Sequence, residues 1–295
     1  MKGIALVLAT SLFYGLMPAV TQLSFKTGLS IETMLSNRYL IALAATWAYI
    51  FATRADFRVT RKQLALLLAV GVSYIGVALF INMSYLYLPG AMTSILVFMY
   101  VSMVVLMEIV SGREKPKAMK LLCVGISLAG LVMVVYDPSG AGALSVPGIL
   151  LALAAGTCYA IYAFALGGTV TKNLDSIVLI GYILIIPTIA YIVRCWQSAE
   201  PMLPESFGQV MYILALAMFC TFIGSVLFCK AVKLIGSGNA SIINTVEPVI
   251  AYFGGLLLLG DTLNLTAIIG GCIIIAAIIL LNISDGIKES VFLDR

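Results

Sequence analysis

GIALVLATSLFY, residues Gly3 to Tyr14, returns as GILLALAAGTCY at Gly148 to Tyr159, with Gly, Ile, Leu, Leu, Ala and Tyr in register at an offset of 145 residues. Each copy opens an apolar stretch of about twenty residues, the length that crosses a bilayer as a helix. A second echo, at a slightly different offset, links the stretch from Leu88 through the fifth apolar segment to that from Ser237 through the tenth. The chain therefore reads as two halves. Lys2 ahead of an apolar run with Ala19 beyond it would also suit a signal peptide, but a segment with an internal twin is expected to belong to the mature fold.

Outward from the repeat, apolar stretches run over 4–25, 33–53, 64–86, 90–111, 118–136, 147–167, 174–196, 208–231, 238–260 and 264–283. The loops between them are short and rich in charge or in Gly and Pro, as in RADFRVTRK from Arg54, SGREKPKAMK from Ser111 and DPSGAGALSVP from Asp137. The sequence is 62% hydrophobic and 10% charged, against roughly 25% charged in soluble domains. The reading is an all-α integral membrane protein of ten transmembrane helices. The expected units are a first five-helix repeat over 1–137, a second over 146–284, and a cytoplasmic tail over 285–295.

Orientation follows from Lys and Arg, which stay on the cytoplasmic side. With the N-terminus inside, cytoplasmic segments collect fourteen of them, from Lys2 through the Arg54 to Lys62 and Arg113 to Lys120 loops to Lys172, Lys230, Lys233, Lys288 and Arg295. The other side keeps Lys26 and Arg194. Both termini are thus expected in the cytoplasm, with the protein integral to the plasma (inner) membrane. The net charge of +4 is then topology, not a nucleic-acid footprint. In a background without the natural cysteines, a cysteine at Gly140 should react with an impermeant reagent added outside, and one at Lys115 should not. The reverse pattern would overturn the orientation.

Five spans per half is odd, so the second half starts on the opposite side and the repeats are inverted across the bilayer. Two halves so related can rock about a central site and open it to each side in turn, the arrangement of a secondary transporter. Other classes lose ground. Histidine is absent, which counts against zinc hydrolases, haem proteins and most acyl-transfer triads. Cys123, Cys158, Cys195, Cys220, Cys229 and Cys272 form no Cys-x-x-Cys pair and read as small hydrophobes. No phosphate-binding loop is present, and no cofactor or metal is expected.

ASIINTVEPVIAYFGGLLLLGD, from Ala240 to Asp261, and SNRYLIALAA, from Ser36, resemble the drug/metabolite transporter superfamily, specifically its EamA-type ten-helix members. The resemblance covers nearly the whole chain. Met99 departs from it, standing where a proline is common, and Asp261 replaces the more usual Glu. It implies a basket of ten helices around a cavity lined mainly by helices 1 to 4 and 6 to 9. It also implies a small-metabolite substrate, moved by exchange, facilitated diffusion or proton coupling.

Ionisable groups in the hydrocarbon core are costly, and each one raises a functional question. Glu108, Arg194 and Lys230 lie near predicted helix ends, where long side chains reach the headgroups. Arg38, a short way into the second helix, and Glu247, near the middle of the ninth, are the serious candidates. For Arg38 a structural or gating contact and substrate binding both stand. Pro248 removes the helical partner of the Asn244 carbonyl, so Asn244 to Pro248 is expected to be the polar focus of the cavity. There Glu247 reads as a proton carrier, as a counter-charge for a substrate ammonium, or merely as the cap of a helix break. Tyr14 and Tyr159, at matched repeat positions, with Tyr74, Tyr100 and Tyr162, lie deeper than an interfacial belt, and Asn82 and Gln22 could add polar contacts. Spacings such as Gly125 to Ala129 and Ala251 to Gly255 suit close helix packing.

The expected function is a secondary transporter, an exporter of a small metabolite such as an amino acid or a related compound. The alternatives are a non-transporting subunit or sensor with the same fold and, last, a membrane-embedded enzyme, which would need a paired-carboxylate or nucleophilic site. Expected partners are the substrate and the lipid bilayer, with no nucleic acid; a homodimer is left open.

Overall fold

A computed structural model describes residues 2–112, 118–135, 145–166, 174–235, 244, 246–260, 265–266, 268–277 and 279–280, and the regular structure among them is helical throughout. In chain order the helices are α1 (Lys2–Lys26), α2 (Ile31–Thr53), α3 (Arg61–Ser84), α4 (Gly90–Val97), α5 (Tyr100–Val110), α6 (Ala118–Val135), α7 (Val146–Leu166), α8 (Ser176–Ile183), α9 (Ile185–Gln197), α10 (Phe207–Ala215), a π-helical segment (Leu216–Ile223), α11 (Gly224–Ile235), α12 (Glu247–Leu259) and α13 (Ile268–Ala277). Their starts are coded locally. The Ser30 hydroxyl accepts from the Thr33 N–H, Thr60 and Gln63 close a capping box on α3, and Asp175 and Ser206 cap α8 and α10.

Four helical stretches among the described residues are long and apolar enough to cross a membrane: Lys2–Lys26, Arg61–Ser84, Ser176–Gln197 and Phe207–Ala231. Five more are apolar but shorter. The distribution of side chains is that of a protein in lipid. α1 buries Thr10, Ser11, Gly15 and Thr21 and exposes Ile4, Leu8 and Leu12, so small and polar groups face other helices and large apolar ones face outward. Some buried hydroxyls are satisfied inside their own helix, Thr46 on the Ala42 carbonyl at 2.7 Å and Thr188 on that of Leu184 at 2.7 Å, and Ser84 donates across to the Gly148 carbonyl at 3.0 Å.

The two halves of the chain interleave. α1 packs along α11 and α12, α3 along α7, α2 along α9 and the π segment, and α4 between α7 and α12. Several of the apolar stretches hold interrupted helices. The run over 90–111 breaks at Phe98 and Met99, between α4 and α5. That over 174–196 breaks at Leu184, because Pro187 has no N–H for the Ile183 carbonyl.

Glycine sets the closest approaches. A Cβ on Gly15 would stand 2.6 Å from Ile250 Cβ and 2.9 Å from the Glu247 carbonyl oxygen, so α1 touches the backbone of α12 only because Gly15 has none. Gly125, in contrast, faces open space, and its spacing with Ala129 makes no close contact among the described residues. The tight contact of α6 is at Gly130, about 140° further round the helix, where a Cβ would lie 2.8 Å from Ile274 and 2.9 Å from the Gly270 carbonyl. Gly15→Ala should therefore lower stability by about 1–3 kcal/mol, read as a lower melting midpoint in detergent, while Gly125→Ala should leave it unchanged or slightly raised.

Candidate functional site

A column of aromatic rings runs through the interleaved helices. It passes from Tyr191 on α9 to Tyr39 on α2 (ring centroids 5.0 Å apart), to Tyr74 on α3 (6.1 Å), to Tyr162 on α7 (5.3 Å), to Tyr159 (5.4 Å), to Tyr100 on α5 (4.4 Å) and to Phe98 at the helix break (5.9 Å). Four of the tyrosines expected from the sequence thus form one structure, joined by Tyr39 and Tyr191. Tyr74, Tyr100, Tyr159 and Tyr162 are only partly covered. Tyr14, the repeat twin of Tyr159, stands beside the column; its hydroxyl is 3.1 Å from Ser225 Oγ and its ring rests on Gly224.

Arg38 lies at the Tyr39 and Tyr74 end of the column. It is 6% exposed and does not reach toward a headgroup. Its Nε donates to Thr221 Oγ1 at 2.7 Å, its Nη2 to Met17 Sδ at 3.1 Å, and its guanidinium carbon sits 5.9 Å from the Tyr39 ring centre. Thr221 is on the π segment and donates in turn to the Leu216 carbonyl, five residues back, at 3.1 Å. A π turn of this kind widens the helix by one residue and is common where a side chain must be aimed at a site. Here it turns Thr221 toward Arg38 and Cys220 toward the Phe13 carbonyl of α1 (Sγ to O 3.2 Å).

Glu247 lies at the start of α12, which packs along α1 and α4. Asn244 is helical, Val246 is a turn and α12 starts at Glu247, so the helix is interrupted ahead of Pro248 rather than kinked through it. Pro248 stands in the first turn, where its missing N–H costs no helical hydrogen bond. The polar focus is therefore made by side chains, not by a carbonyl freed inside a continuous helix. Asn244 Nδ2 donates to Glu247 Oε2 at 3.0 Å. The Ser11 hydroxyl, 2.9 Å from Asn244 Oδ1 and 3.0 Å from the Val7 carbonyl, has one proton to divide between them.

The carboxyl of Glu247 is close enough to act electrostatically on Tyr14, Tyr85, Tyr100 and Cys220, and the guanidinium of Arg38 on Tyr39, Tyr74, Tyr85, Tyr191 and Cys220. Tyr85 and Cys220 feel both. Yet among the described residues no carboxylate lies within ion-pair distance of Arg38 and no cation within that distance of Glu247. The remaining candidate, Asn82, is buried on α3 with Nδ2 on the Ala78 carbonyl at 2.7 Å; among the described residues Oδ1 has no partner and no contact ties it to the column.

Other expectations resolve into structure. Gln22 donates to the Tyr85 and Leu88 carbonyls, both at 3.1 Å, and so closes the end of α3. Arg194 pairs with Glu32 at 3.0 Å, a link between α9 and α2 rather than a free headgroup contact. The side chain of Glu108 lies outside the described residues. An apolar cleft of about 460 Å³ between α5 and α7, lined by Leu106, Met107, Val110, Ser111, Ile161 and Phe164, holds no charged group and is separate from this site.

The sequence pattern of the EamA-like transporter family matches residues 1–136 and again residues 146–283. The chain belongs to that family. The EamA-like family is an integral membrane transporter family of the drug/metabolite transporter superfamily, not a family of enzymes. No curated protein sequence matches the chain. Among solved structures, one described as "Crystal structure of protein" is 16% identical over 92% of this chain and 95% of its own, with a TM-score of 0.60, a likeness of fold alone. Of the residues that resembled the family from sequence, the arginine of α2 stands beside the Tyr39 ring and Glu247 lies within electrostatic reach of Tyr100.

Proposed function

We propose that this chain is a secondary transporter that exports a small metabolite such as an amino acid or a related compound by alternating access. Its ten spans would form two inverted five-helix repeats with both termini cytoplasmic. The observation that carries the reading is the partly covered tyrosine column at the contact between the two halves of the chain, with buried Arg38 and half-buried Glu247 beside it and no ion pair to either among the described residues. Two further features support it. Helix interruptions at Phe98 and Met99 in the first half and ahead of Pro248 in the second both fall within the stretches that the second sequence echo links. Broken helices in both repeats mark the binding sites of inverted-repeat transporters, because backbone irregularity inside a membrane is tolerated where it lines a cavity. Tyr14 and Tyr159, 145 residues apart, also come within electrostatic reach of one another. Counterflow in proteoliposomes with a labelled metabolite panel tests the proposal. Accumulation of at least one compound is expected, and silence across a wide panel would favour a non-transporting subunit or sensor.

A further inference from the structure

Between α3 and α4 the chain makes a turn, Tyr85 to Pro89, that is tied down by a side chain from another helix. α3 ends at Ser84 and α4 begins at Gly90. The N–H groups of Tyr85, Leu86, Tyr87 and Leu88 are used locally, on the Ile81, Met83 and Ser84 carbonyls at 2.9 to 3.2 Å. The carbonyls of Tyr85 and Leu88 go instead to α1, where Nε2 of Gln22 donates to both at 3.1 Å. One amide group thus clamps the turn near both of its ends.

The side chains of the turn divide between two sides. Leu86 and Tyr87 are exposed, whereas Tyr85 and Leu88 are buried. Leu88 and Tyr87 press on α7 at Gly148, where a Cβ would lie 2.8 Å from Leu88 Cγ and 2.7 Å from Tyr87 Cβ. Ser84, just ahead of the turn, donates to the Gly148 carbonyl at 3.0 Å. The turn therefore bridges the first helix of one half and the first helix of the other. In the proposed orientation α1 runs outward from the cytoplasm, so Gln22, near its far end, and the turn lie at the outer face.

Tyr85 faces the other way. Its hydroxyl has no hydrogen-bond partner, the Ser94 hydroxyl being nearby but outside hydrogen-bonding geometry. Arg38, Glu247 and Cys220 are all within electrostatic reach of it, and they come from α2, α12 and the π segment. The phenol thus stands over the centre while Leu86 and Tyr87 of the same turn stand outside, and a single turn of chain separates the two. That layer is held shut by a narrow balance. Two amide hydrogen bonds favour it, and a buried phenol without a partner opposes it at a comparable cost. Lifting the turn would let water reach both the hydroxyl and the two carbonyls. A segment that must occupy two positions needs such a balance, and one that only joins two helices does not.

We propose that the Tyr85 to Pro89 turn is the outer gate of the transport site, clamped shut by Gln22 and bearing on the site through the Tyr85 phenol. This assignment rests on the transporter reading with its orientation, and adds the control of access to that same site.

The test uses Ser225→Cys, beside Tyr14 at the centre, in a background without the six natural cysteines. It reads the ratio of reaction rates with an impermeant thiol reagent supplied outside and inside sealed vesicles. Gln22→Met keeps the length of the side chain and removes both donors, so the outside-to-inside ratio should rise about tenfold or more. Tyr85→Phe removes the hydroxyl that opposes closure, so the ratio should fall about fivefold or more. Opposite shifts from the two variants are the mark of a gate. A turn that merely joins helices would lower the melting midpoint in Gln22→Met and leave the ratio alone. If Gln22→Met fails to fold, Tyr85→Phe carries the test, since its hydroxyl has no partner to lose. A ratio that stays fixed, or shifts in the reverse directions, with the cysteine reactive from both sides, overturns the gate and leaves the transporter reading standing. Reaction from one side only in every variant overturns both.

Discussion

Glu247→Gln should lose nearly all counterflow while the protein becomes more stable. The carboxyl has an amide donor in Asn244 Nδ2, 3.0 Å away, and no cation among the described residues. Glutamine keeps an oxygen for that donor and removes a half-buried charge that no cation answers among the described residues, so the melting midpoint should rise. The same change removes the counter-charge for the substrate. Truncating one member of a buried charge pair costs about 2–5 kcal/mol, equivalent to roughly a 30- to 3,000-fold loss of flux at low substrate. Counterflow and thermal melting on one preparation read both effects. If exchange were retained and only its pH dependence vanished, the carboxyl would be a proton carrier instead. Wild-type behaviour would remove Glu247 from the mechanism.

Arg38→Lys should fail almost as completely as Arg38→Ala. The guanidinium donates Nε to Thr221 and Nη2 to Met17 in a fixed plane, which leaves further N–H groups to donate. An ammonium is a point charge on a flexible stem and cannot hold Thr221 while offering a second, oriented donor. Both variants are expected to lose about 100-fold in counterflow, at protein levels and melting behaviour near wild type for the lysine. Thr221→Ser should stay near wild type and Thr221→Val fall about tenfold, because valine removes the acceptor that orients Nε. Full activity in Arg38→Lys would mean that only a positive charge is needed, and full activity in Arg38→Ala would dismiss any role.

How far these residues could be seen in the sequence depended on how each is marked. Tyr14 and Tyr159 stood out through the repeat, and Glu247 and Arg38 through the cost of charge at membrane depth, so the charged groups beside the column were legible. Its joining rings were legible only in part. Nothing in the sequence singles out Tyr39, next to Arg38, or Tyr191 and Tyr85. Thr221 and Ser225 lie in LAMFCTFIGSV, where a small hydroxyl is as often a self-satisfied packing residue as a contact. No periodicity announces a π segment, since inserting one residue shifts the register without changing composition. The same limit explains Gly125 and Gly130. Spacing finds a face of small residues, but only the rotation of the helix in the bundle decides which glycine meets a backbone.

Alternating exposure of the centre is the claim on which the rest depends, and two-sided accessibility of Ser225 measures it most directly. Ser225 lies 3.1 Å from the Tyr14 hydroxyl, and Ser225→Cys is nearly isosteric. In a background without the six natural cysteines, in sealed vesicles, the cysteine should react with an impermeant thiol reagent supplied from either side. A transported compound on one side should slow both reactions. Reaction from one side only, whatever compound is present, would contradict a centre that opens to each face in turn.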